Sequence, residues 1–97
     1  MSTQFHQLAA KMDEAIVAVA ARVDALKDID VKFSQLRVDM DSAVIKGMEK
    51  FAYREHHLEV RVLSELMFYV MKELQRNIEV AEKLSQQFFK DTSAEAS

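Results

Sequence analysis

The side chains best suited to chemistry lie together near the middle of the chain. His56 and His57 adjoin Glu55 and Glu59, and Glu49 precedes His56 by seven residues. Imidazoles beside carboxylates suit a metal centre inside a helical bundle. Di-iron bundles use Glu-x-x-His spacings, which turn both ligands inward. No Glu precedes a His by three residues here; His56–Glu59 has that spacing in reverse. Adjacent histidines on a helix point about 100° apart, so one site cannot take both. The pattern predicts no metal site and no cofactor. Two histidines near an interface would instead make association pH-sensitive below neutrality.

Nucleophilic catalysis has no better footing. The chain has no Cys, which removes thiol nucleophiles, thiolate ligands and disulfides together. Ser34, Ser42, Ser64 and Ser85 lack the loops and oxyanion donors that acyl transfer needs. One Gly in 97 residues leaves no Gly-rich phosphate loop. Two long helices would also offer little pocket. The sequence therefore predicts a protein that is not an enzyme.

Charge narrows the partners. Thirteen basic residues are scattered among sixteen acidic ones, for a net charge of −3. With no basic stripe, neither nucleic acid nor an anionic membrane is an expected partner. No apolar run approaches the roughly 18–20 residues of a membrane span. The first residues, MSTQFHQ, carry no basic segment of the kind that opens a cleavable signal. A cytoplasmic location is the expectation, with secretion by a non-cleaved signal as the alternative.

The elements that position these residues are helical. There is no Pro, a single Gly and 49% hydrophobic residues, so turn chemistry for a sheet is missing. Ser2 or Thr3 can cap a first helix. Phe5, Met12, Val19, Leu26, Phe33 and Met40 then form a strict seven-residue column. Leu8, Ala15, Arg22, Ile29, Leu36 and Ala43 form a second one, three residues later. Sustained heptads imply a coiled-coil seam, and the first column is assigned to the seam inside the hairpin. The repeat shifts by four residues after Met40, to Val44, Phe51 and Leu58, which is either a stutter or a turn. Asp39, Asp41, Ser42 and the only Gly, Gly47, favour a turn within 39–47. The break divides a single domain, residues 1–90, into arms of about 3–40 and 48–90. Residues 91–97 (DTSAEAS) read as a frayed polar tail.

The second arm holds two further columns: Leu63, Val70, Asn77 and Leu84, and Met67, Leu74, Ala81 and Phe88. Arg61–Glu65 and Glu79–Lys83 have the i,i+4 spacing of helix-surface ion pairs. Asn77 and Arg22 interrupt apolar columns. A polar residue in such a seam can fix its register, whereas Arg22 is expected to snorkel outward. The densest apolar run is Leu58 to Met71, whose only polar residues are Glu59, Arg61, Ser64 and Glu65. Its apolar side chains cover an arc of roughly 220°, more than one neighbouring helix covers. Leu63, Leu66, Met67, Phe68, Val70, Met71 and Leu74 are therefore assigned to an intermolecular interface, with Met and aromatic side chains as adaptable contacts.

The length, the two equal arms and Ile45-Lys46-Gly47 at the expected break make the chain similar to the small secreted Trp-x-Gly hairpin proteins. Tyr69-x-x-x-Glu73 looks loosely like their Tyr-x-x-x-acidic signal. It departs from them where Ile45 replaces the Trp and where the Tyr motif falls inside the second arm.

The chain is thus expected to be all-α: a long helical hairpin with coiled-coil-like heptad packing, assembling into an oligomeric helical bundle. The expected function is protein–protein interaction, as a small helical adaptor, chaperone-like or structural assembly subunit. A homo-oligomer, dimer or higher, is the expected state, with a helical protein as a further possible partner. The alternative is an amphipathic protein that lays an apolar face on lipid, to which the Ala-rich stretch from Ala9 to Val23 is suited.

Overall fold

The computed structural model describes the backbone of residues 2–96 and the side chains of residues 3–92. The fold is all-α, with helix α1 (Ser2–Ile45) and helix α2 (Glu49–Ala96) packed as a hairpin. α1 begins at Ser2, so Thr3 is already inside its first turn, and the side chain of Ser2 lies outside the described residues. α2 runs on through Ala96, so residues 91–96 of the polar tail are helical. The Thr92 hydroxyl donates to the Phe88 carbonyl at 2.7 Å within that segment. The side chains of 93–97 lie outside the described residues.

The turn is built on Gly47, the only residue with positive φ among the described ones (68°). The Gly47 amide donates to the Val44 carbonyl at 3.1 Å, and the Met48 amide to the Ala43 carbonyl at 2.7 Å. That pair of bonds is a Schellman cap, which satisfies the last carbonyls of α1. Met48 then opens α2: its carbonyl accepts from the amides of Phe51 (3.0 Å) and Ala52 (3.1 Å). Glu49, in the first turn of α2, suits the positive end of the helix dipole. The break thus falls at 46–48. Asp39 lies within α1, where its carboxylate accepts from Gln35 Nε2 at 3.0 Å on the helix surface. The four-residue shift after Met40 marks this turn and is no stutter: Val44 belongs to α1, Phe51 and Leu58 to α2.

Both helices contribute to each of two compact units. The first joins residues 1–23 of α1 to residues 72–97 of α2. Leu8 and Ala15 are its buried residues. Phe5, Met12, Val19, Leu74, Ala81, Leu84 and Phe88 are half-buried beside them. The Phe5 and Phe88 rings meet edge to face, with centroids 5.9 Å apart, the geometry favoured by ring quadrupoles. The second unit spans Asp24–Met71 and includes the turn. It buries Ile29, Leu36 and Ala43, with Leu36 only 3% exposed. Leu26, Phe33, Leu63 and Val70 are half-buried there.

In both units the column beginning at Leu8 is the more deeply buried one. The column assigned to the seam, Phe5 to Phe33, flanks it half-buried, and Met40 at its end is exposed. Leu8, Ile29 and Leu36 are covered along with the small Ala15 and Ala43, so this column faces the other helix directly. The side chains beside it keep an edge in water.

Candidate protein-interaction surface

α2 presents more apolar surface than α1 covers. Between residues 49 and 71 the half-buried positions are Ala52, His56, Leu63 and Val70, at spacings of four and seven residues. This repeat fixes the face turned to α1. Phe51, Leu58, Val62, Leu66 and Tyr69 lie to one side of it, and all are exposed. Tyr53, Val60, Met67 and Met71 lie to the other side and are exposed as well. Phe68 stands apart, between Arg61, Ser64 and Glu65 on the outermost strip, and is 66% exposed.

The assigned interface residues are therefore divided. Leu66, Met67, Phe68 and Met71 are exposed, whereas Leu63, Val70 and Leu74 are half-buried. The latter three share heptad columns with other half-buried residues of α2, so a partner would find only their edges. Phe51, at 81% exposed, and Leu58, Val62 and Tyr69 were not assigned to the interface, although their i, i+7, i+11 and i+18 spacing is readable in the sequence. α1 carries a further exposed column at heptad spacing: Val17, Val31, Val38 and Ile45, the last 84% exposed.

Two clefts in the unit around the turn show the chemistry of these flanks. Lys32, Gln35, Leu36 and Asp39 of α1 with Leu58, Glu59, Val62 and Leu63 of α2 line one of ≈ 460 Å³. Its lining joins charged and polar groups to three leucines and a valine. Met40, Ala43, Val44, Glu49, Tyr53, His56, His57 and Val60 line the other, of ≈ 230 Å³, nearer the turn. The His57 ring stacks on Tyr53 with centroids 5.8 Å apart. The two histidines are thus part of an aromatic and apolar surface. Among the described residues no three His, Cys, Asp or Glu side chains are grouped to hold a metal ion. Among the same residues no helix is long and apolar enough to cross a membrane.

Polar contacts on the helix surfaces are few. Arg61 Nε and Glu65 Oε1 pair at 3.2 Å, both well exposed, and Arg76 and Glu73 pair at 3.2 Å. Glu79 and Lys83 form no ion pair among the described residues. Within the seam, Arg22 Nε and Asn77 Oδ1 are buried without a hydrogen-bond partner. Arg22 is half-buried with Nε inside the seam, while its two terminal guanidinium nitrogens are not among the buried unpaired atoms.

Fold and surface together define a two-helix protein with an internal heptad seam and exposed apolar flanks. No family model, no curated protein and no solved structure matches the chain.

Proposed function

We propose that this chain is a non-enzymatic protein–protein interaction module that associates with itself, acting as a small helical adaptor, chaperone-like or assembly subunit. One observation carries the reading. The chain exposes 7930 Å², where a compact monomer of 11.2 kDa exposes about 5,700 Å². The excess is larger than the roughly 800 Å² that a standard interface covers on each partner. Large apolar side chains are exposed on both flanks of α2, Phe51, Leu58, Leu66 and Tyr69 on one and Met67 and Met71 on the other, and exposed apolar surface beyond scattered single residues marks a contact site. A second copy brings matching heptad flanks.

Equilibrium sedimentation tests the proposal. A reversible concentration-dependent mass above that of one chain supports it. A monomer with full helical circular dichroism at every concentration sinks it. Flotation of the same protein with neutral vesicles would place the apolar flanks on lipid instead.

A further inference from the structure

The seam of the first unit contains two polar side chains that the hairpin alone does not satisfy. Arg22 replaces an apolar residue in the buried column between Ala15 and Ile29. Asn77 replaces one between Val70 and Leu84. Both side chains are half-buried, and Arg22 Nε and Asn77 Oδ1 are each buried without a hydrogen-bond partner among the described residues.

They also stand at the same level. Phe5 meets Phe88, and Ile16 and Val19 share a cleft with Ile78 and Ala81. In an antiparallel pair, a step forward on α1 is a step back on α2, so Arg22 comes level with residues 71–78. The chemistry of the two atoms is complementary, since Nε–H only donates and Oδ1 only accepts. Within one chain they nevertheless leave each other unbonded. Nearby, Glu73 is held by Arg76 at 3.2 Å rather than turned to Arg22.

We propose that Arg22 and Asn77 form a polar layer completed by a second copy of this chain, Arg22 Nε–H of each copy donating to Asn77 Oδ1 of the other. A two-fold interface repeats every contact in reciprocal form, so one symmetry operation satisfies both donors and both acceptors. An unrelated helix would have to carry a donor and an acceptor at that spacing, whereas a second copy carries them by construction. Nε and Oδ1 are themselves buried within the single chain, so the contact requires each side chain to change rotamer as the two copies dock. The layer gives the assembly its register, because a slip by one turn leaves four polar groups buried and unpaired. The inference rests on the self-association proposed above.

The test is equilibrium sedimentation of the full chain as wild type, Asn77→Leu and Asn77→Asp, with thermal melts at low concentration. Asn77→Leu removes two bonds from a two-fold dimer, each equivalent to roughly tenfold in Kd, so association weakens about 100-fold. Asn77→Asp offers the Arg a charged acceptor and tightens the dimer. It also decides the matter if the leucine variant fails to fold. Unchanged Kd in the variants, with only the low-concentration melt moved, places the layer inside one chain. That result overturns this inference and leaves self-association standing. Wild type that stays monomeric throughout overturns self-association, and the polar layer with it.

Discussion

Leu36 and Leu66 are the same residue type in the same unit, 3% and 48% exposed, and substituting each moves a different equilibrium. Leu36→Ala opens a cavity in the seam and costs the fold about 2–5 kcal/mol. For a single-chain unfolding of this size that lowers the melting temperature by roughly 8 °C or more. Leu66→Ser leaves the fold of one chain nearly intact, because half of the side chain is already in water. The half still to be covered contributes about 0.7–1.4 kcal/mol, taken from roughly 1.5–3 kcal/mol for burying a whole leucine. A two-fold interface counts this twice, so the dissociation constant rises roughly 10- to 100-fold. Sedimentation equilibrium reads the second effect, and thermal melts at low concentration read the first. The reasoning is refuted if Leu66→Ser lowers the low-concentration melt as far as Leu36→Ala does. It is refuted equally if Leu66→Ser leaves self-association untouched.

Gly47→Ala is expected to cost about 1–2 kcal/mol, since the residue sits at φ 68° while its Cβ would meet nothing within 4 Å. The loss comes from the left-handed backbone alone, so Gly47→Asn should lose less in the same chemical-denaturation series. A Gly47→Ala variant as stable as wild type would show that the hairpin does not depend on this turn. Arg61→Ala removes an ion pair whose side chains are 70% and 69% exposed, so the expected change is at most about 0.5 kcal/mol. A shift of several degrees in its melt would mean that Arg61 does more than pair with Glu65. Phe5→Ala removes half of the Phe5–Phe88 pair and is expected to raise amide exchange within the unit of residues 1–23 and 72–97. Equal acceleration in Asp24–Met71 would show that the two units do not open separately.

The architecture was legible because a heptad column states a face directly. Leu8, Ala15, Ile29, Leu36 and Ala43 repeat every seven residues or a multiple of seven, and each is buried. What the spacing did not state was the roll of the helix. Two columns three residues apart are equivalent by periodicity alone, and the larger side chains of the Phe5 column drew the assignment. In the packed pair the Leu8 column, aliphatic except for Arg22, occupies the centre, and the Phe and Met side chains of the other column lie at its edge. The turn was readable to within its region. The local polar cluster pointed too early, because aspartate and serine near a helix end do not stop it unless their side chains reach backbone donors. Gly47 could be entered in a left-handed conformation at no steric cost, and there the chain reversed.

The interaction surface was harder to read for a related reason. By its spacing the run Leu58–Met71 is a single apolar arc, but packing against α1 divides it. Leu63 and Val70 turn inward, while Leu58, Val62 and Leu66 on one side, and Met67 and Met71 on the other, stay exposed. Of the histidines that first suggested chemistry, His57 falls on the latter side, against Tyr53, and His56 is half-buried on the face turned to α1. The α1 column Val17, Val31, Val38 and Ile45 bears on the same question. β-branched residues lose rotamer freedom in a helix and are weaker helix formers than Ala, Leu, Lys or Glu. On a face that meets only water they add neither helicity nor solubility, and single valines there would need no account. Four apolar β-branched residues in one heptad column, interrupted once by Asp24, give a face with the period of a coiled-coil seam. That period fits a second helical neighbour far better than it fits solvent, and it lies on the side of α1 that α2 does not occupy.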